Sequence, residues 1–172
     1  MEIVIILGLI FLNGILSMSE IAMVSARKSR LETAAKKGSK TAKTALRLAN
    51  EPDRFLSTIQ IGITLIGILT GLYSGEALAG DLARWLETIG IPQAHSLTLA
   101  KGIIVILVTY LTLILGELVP KHLGMNAPEK IARLIARPME VLSKIASPFV
   151  WLLSASTQAV IRLTGLHAST EN

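Results

Sequence analysis

Three apolar runs dominate the alternation of hydrophobic and polar positions, at 3–25, 55–73 and 102–120. The polar members of the first are Asn13, its serines and Glu20. The second carries no charge, and the third carries only Glu117. Each is close to the roughly 20 residues that cross a hydrocarbon core of about 30 Å. The pattern predicts an all-α membrane protein with three transmembrane helices. A cleaved signal peptide fits the first run poorly, because acidic Met1-Glu2 precedes it and no small-x-small site follows it.

The segments between the runs are also patterned. Residues 26–54 are rich in alanine, leucine and lysine, with Gly38 as punctuation, and predict two short helices. Asn50 is the expected N-cap of the second span, with Pro52 and Asp53 in its first turn. Residues 74–101 are read as a connecting loop. Residues 126–165 predict amphipathic juxtamembrane helices, opened by Asn126 as N-cap with Glu129 at capping-box spacing. Pro138 and Pro148 are expected to bend or break this region, and its apolar run 145–161 is too interrupted to be read as a fourth span.

Composition agrees with the membrane class. Of the 172 residues, 51% are hydrophobic and 17% charged, against about a quarter charged in a water-soluble domain. That length suits one bundle rather than two domains. The absence of cysteine removes disulfides and thiolate metal sites, and the 4% aromatic content argues against nucleic acid as a partner. Charge placement says more than the net +5. Nine of the seventeen basic residues lie between spans one and two, and only Arg84 and Lys101 lie between spans two and three. The positive-inside rule therefore predicts an outer N-terminus, an inner 26–54 segment and an inner C-terminus.

Each span carries one polar or small-residue face. Asn13, Ser17 and Glu20 align in the first, with Ser19 beside them. Gln60, Thr64, Gly67 and Gly71 align in the second, and Thr109, Thr112, Gly116 and Pro120 in the third, with Glu117 at the edge. Close helix packing accounts for the glycines as well as function does. Carboxylates in spans cost roughly 2.5–3.5 kcal/mol on insertion scales and mark ion or substrate paths. Glu117 is otherwise a snorkelling residue, and Glu20 otherwise an ion-pair partner of Arg27 or Lys121. Pro120 lacks an N–H and clashes with the carbonyl four residues back, so a helix break is expected that releases the Gly116 oxygen beside Glu117. Oxygens with partial negative charge suit a hard cation. With no histidine in any span, Mg²⁺, Ca²⁺ or Na⁺ is favoured over softer metals.

The stretches "LNGILSMSEIAMVSARKSRLE" (12–32), "NEPDRFLSTIQIGITLIGILTG" (50–71) and "LILGELVPKHLGMNAPEKIA" (113–132) resemble the transmembrane domain of the CorC/cyclin M magnesium-transport family, also described as hemolysin-like. The resemblance covers about residues 3–160, and its most specific part is Gly-Glu-x-x-Pro-Lys followed by Asn-x-Pro-Glu. It implies three spans, a juxtamembrane helical belt over 126–165, a homodimer in the inner (plasma) membrane, and Mg²⁺ efflux with Na⁺ as the coupling ion. It carries the family's cation-binding Gly-Glu onto Gly116 and Glu117, and the first polar motif onto Asn13, Ser17, Ser19 and Glu20. Many relatives have Gly-Asn-Thr in the second helix. Here the stretch is Gly62-Ile63-Thr64, so Thr64 or a backbone carbonyl would have to serve. The family also implies cytosolic nucleotide-binding modules beyond the tail at 166–172, so regulation by ATP-Mg²⁺ is not expected within these residues.

The leading expectation is a divalent-cation transporter working by alternating access. A membrane scaffold or Mg²⁺ sensor without transport is the alternative, with the polar stripes then serving as packing. An enzyme is not expected, since no nucleophile, metal-binding His cluster or phosphate loop accompanies Glu20 and Glu117. His95, His122 and His167 are isolated in the sequence and are read as surface or interfacial residues.

Overall fold

The computed structural model describes residues 1–165, with the side chains of residues 76 and 77 left aside. It is an all-α membrane domain. The three long apolar helices are α1 (Glu2–Ser25), α4 (Pro52–Tyr73) and a third of 34 residues, Gln93–Asn126. Most of their apolar side chains face outward, as lipid requires; Leu65, Ile68, Val105 and Ile106 are all exposed.

The basic segment between the first two spans folds as expected into α2 (Lys28–Lys36) and α3 (Lys40–Asn50). Gly38 turns the chain between them with φ 99°, a conformation that favours glycine. Ser39 caps α3 by accepting the Ala42 N–H at 3.2 Å. The two other expected caps are not formed. Asn50 ends α3 and Glu51 occupies the cap of α4. Asn126 ends the third span, and Ala127 stands at the cap of α8 (Pro128–Leu163). Glu129 is drawn away from a local capping box by a tertiary one. It accepts the Arg27 N–H at 3.3 Å and so caps the N-terminus of α2, with Arg30 3.9 Å away. Burial pushes the Glu129 carboxyl up. The backbone N–H groups of Glu129 and Arg27 and the charges of Arg30 and Arg27 outweigh it and hold the group below its ordinary value.

The main hydrophobic core lies at this basic end. Leu16 and Met23 of α1 meet Phe55 and Ile59 of α4, Leu31 of α2, Ala45 of α3, and Ala132, Ile135, Ala136 and Met139 of α8. α8 runs unbroken through Pro138 and Pro148, against the expected breaks. Its buried residues lie on one face, whereas both prolines are exposed on the other. The carbonyls that each proline leaves unpaired therefore lie on the open side.

At the opposite end the expected loop 74–101 contains structure. A π-helical turn at Ser74–Leu78 follows α4, and α5 (Ala79–Thr88) packs through Ala83 and Leu86 on Ala100. Ser96 donates to Glu87 at 3.0 Å, and Gly90 turns with φ 102°. The third span therefore begins nine residues before the expected 102, as α6 (Gln93–Leu113). A second π-helical turn at Ile114–Leu118 joins α6 to α7 (Val119–Asn126). This replaces the expected break. The Val119 N–H bonds to the Ile114 carbonyl, and Pro120 falls in the first turn of α7, where a missing N–H is tolerated. His95 and His122 are exposed, and His167 and the 166–172 tail lie outside the described residues.

Candidate functional site

Three glycines set the site by letting α1 and the third span approach. A Cβ on Gly14 would lie 3.0 Å from the Leu115 carbonyl oxygen and 3.0 Å from Cγ of Pro120. One on Gly116 would lie 3.0 Å from Asn13 Nδ2. One on Gly124 would lie 2.8 Å from the Met18 carbonyl oxygen and collide with Cγ2 of Ile21. At this separation the Asn13 amide, only 4% exposed, donates from Nδ2 to the Gly116 carbonyl at 3.0 Å. Pro120 offers that carbonyl no α-helical N–H, and Asn13 supplies a donor instead. A carbonyl only accepts, so the amide nitrogen must face Gly116, leaving Asn13 Oδ1 as an acceptor.

Beside this contact lies a cavity of about 370 Å³ between α1, α4, α6 and the two π turns. Its polar lining is Asn13, Thr70, Ser74, Thr109, Thr112 and Glu117, set among Ile10, Ile63, Ile66, Val105, Val108 and Leu113. The hydroxyls of Thr70 and Ser74 donate to their own helix, at 2.7 Å to Ile66 and 3.2 Å to Gly71. Their protons are thus committed and their lone pairs remain as acceptors. Glu117 is half-buried and, among the described residues, has no hydrogen-bond or ion-pair partner. One carboxylate with neutral oxygens around it can hold a cation that keeps part of its water shell. Among the described residues no three His, Cys, Asp or Glu side chains converge on a common point.

The sequence-expected residues divide accordingly. Asn13, Gly116 and Glu117 come together at the cavity or at its edge. Ser17 and Ser19 are buried but do not line it, and Ser19 donates to the Ile15 carbonyl at 2.6 Å. Glu20 is half-buried and pairs with neither Arg27 nor Lys121. Thr64 is exposed, accepting from Gln60 Nε2 at 3.3 Å, and stands away from the cavity. The helix-two oxygens come instead from Thr70 and Ser74, which sequence reading passed over. Their signal was the i, i+4 spacing that extends the face of Ile63, Ile66 and Gly67 beyond the expected end of the span.

The chain is 48% identical over 166 residues to a UPF0053 protein of Synechocystis, covering 96% of this chain and 37% of that protein. It is 32% identical over 164 residues to a UPF0053 protein of Bacillus subtilis, covering 95% and 36%. With the polyamine export protein of Escherichia coli it shares 30% identity over 162 residues, covering 94% and 36%. It thus spans a little over a third of the length of these relatives. The profile of the cyclin M transmembrane N-terminal domain matches residues 4–172. With that match spanning all three membrane helices and the cavity between them, the chain belongs to the cyclin M transmembrane N-terminal domain family.

Proposed function

We propose that this domain moves cations across the membrane by alternating access, with Mg²⁺ as cargo exported at the expense of a Na⁺ gradient. The observation that carries the reading is Glu117, a carboxylate without a partner among the described residues, lining a cavity between three membrane helices. Thr70, Ser74, Thr109, Thr112 and Asn13 Oδ1 would replace part of the water that Mg²⁺ gives up, and Glu117 would offset its charge. The Asn13–Gly116 bond joins α1 to the π turn, so a change in either can open or close the cavity. The reading is of a transporter and not an enzyme.

It includes a homodimer in the inner membrane, with the N-terminus outside, the C-terminus cytoplasmic and one site per protomer. Residues 151–163 of α8 are exposed throughout, including Trp151 and Leu163, and a second copy would cover them. Nucleotide-binding modules are assigned to the additional length that the relatives carry.

A second reading takes an organic polyamine as cargo. It is favoured by the apolar walls around a single carboxylate, which suit an ammonium group on methylenes, and by the likeness to the polyamine export protein of Escherichia coli. Flux into proteoliposomes separates the two. The first reading expects Mg²⁺ movement that follows an imposed Na⁺ gradient and is lost in Glu117→Gln. Spermidine flux without Mg²⁺ flux would transfer the assignment to the second. No flux of either would leave the domain as a scaffold or sensor.

A further inference from the structure

A second polar feature lies outside the cation cavity, at the basic end of the bundle. α3 presents Lys40, Lys43 and Arg47 at i, i+3, i+7, and α8 presents Arg137, Glu140 and Lys144 at the same spacing. The two rows border one groove. Its outer part, about 480 Å³, is lined by Lys40, Lys43, Arg47 and Arg137 with Glu140 as the sole carboxylate. Its inner part, about 330 Å³, shares Thr44, Arg47 and Glu140 and adds Arg54 and Lys144 with a second carboxylate, Glu51, which pairs with Arg54 at 3.9 Å.

The internal ion pairs do not balance this charge. Glu140 is divided between Arg47 and Lys144, at 3.5 Å each. Lys40, Lys43 and Arg137 have no ion-pair partner among the described residues, although they line the same groove. Cations gathered this way repel one another, and a bound anion relieves the repulsion.

We propose that this groove binds the phosphate headgroup of an anionic phospholipid. Two observations favour a lipid over a soluble phosphate. The inner part reaches the first turn of α4, at Arg54 and Phe55, where the membrane span begins. Val141, which lines the outer part, starts an exposed apolar row on α8 that continues through Ile145 and Phe149. A headgroup on the cations would thus lay its acyl chains along an apolar surface that a soluble phosphate has no use for. Basic pockets between helices at a membrane face bind lipid headgroups for the same reasons.

The test is native mass spectrometry of the detergent-solubilised protein, titrated with phosphatidylglycerol or phosphatidylcholine. The groove variant combines Lys40→Gln, Lys43→Gln and Arg137→Gln. The control combines Lys28→Gln, Lys36→Gln and Lys37→Gln on and just after α2, removing the same charge from the same end of the bundle. Wild type should retain phosphatidylglycerol in preference to phosphatidylcholine. The groove variant should bind it about tenfold or more weakly, and the control within about twofold of wild type. Lys40→Arg, Lys43→Arg and Arg137→Lys together should preserve binding, which separates lost charge from lost fold. Equal losses in the groove and control variants would reduce the effect to diffuse attraction and overturn the site. Inorganic pyrophosphate supplies the second arm. If it binds the lipid-free protein and displaces phosphatidylglycerol, the ligand is a soluble phosphate and the lipid assignment fails.

Discussion

Replacing Asn13 by alanine removes the bond that ties α1 to the π turn of the third span. The bond is 3.0 Å long and its donor side chain is 4% exposed. Stranding a buried carbonyl costs about 1–3 kcal/mol in water-soluble proteins. Side-chain bonds between membrane helices average about 0.6 kcal/mol and reach about 1.7. The adjoining cavity of about 370 Å³ has room for a water to take over. A loss near 1 kcal/mol is therefore expected, or about 2–4 °C in melting temperature for a chain of this length. Pro120→Ala makes the test specific, because it returns an N–H that can reach the Gly116 carbonyl. Alone it should lose some packing, since Cγ of Pro120 sits close against Gly14. In the Asn13→Ala background it should recover part of the stability lost there. Thermal unfolding of the four proteins in one detergent gives the coupling directly. Losses that add within about 0.3–0.5 kcal/mol would show that Asn13 and Pro120 do not compete for one carbonyl, and the account of the π turn would fail.

Gly124→Ala should destabilise by about 1–3 kcal/mol through its clash with α1, outweighing a helix-propensity gain of about 1 kcal/mol, whereas Gly67→Ala, with nothing within 4 Å, should be neutral or better; equal melting temperatures would contradict the close crossing. Thr70→Val and Ser74→Ala should weaken cation binding in calorimetric titration and Thr64→Val should not; the reverse order would move the helix-two oxygens to Thr64. Glu129→Gln should destabilise the wild type at pH 7 by about 1 kcal/mol or less. Because the folded carboxyl is held below its ordinary value, its contribution is full above the normal carboxylate range and fades as pH falls through the folded value. The melting-temperature gap to Glu129→Gln should therefore shrink on acidification, and a gap independent of pH would refute the cap on α2.

The three spans, the two basic helices and the placement of Glu117 beside Gly116 were legible in the sequence. They depend on local properties: the length of apolar runs, the turn at Gly38, and the scarcity of charge within each run. Helix α5 was legible but passed over: Ala79, Leu82, Ala83 and Leu86 stand at i, i+3, i+4, i+7, one apolar face that packs toward Ala100 of α6. The caps at Asn50 and Asn126 failed for a different reason. Each residue remained in the preceding helix, and Glu129 met the N-terminus of α2, far away in sequence. Breaks at Pro120, Pro138 and Pro148 were overestimated, since a proline's local cost can be absorbed by a π turn or by an open helix face.

Sequence by itself thus determined which segments leave water, and that one of them carries a carboxylate next to a glycine. Which oxygens share a cavity with that carboxylate was decided by tertiary structure. The π turns shift the side-chain register beyond Tyr73 and beyond Leu113, and the closeness of α1 to the third span depends on glycines facing backbone atoms of another helix. Thr70 lines the site while Thr64, on the same helix, does not: a periodicity of 3.6 orders residues around one helix but does not set which side of it meets the others.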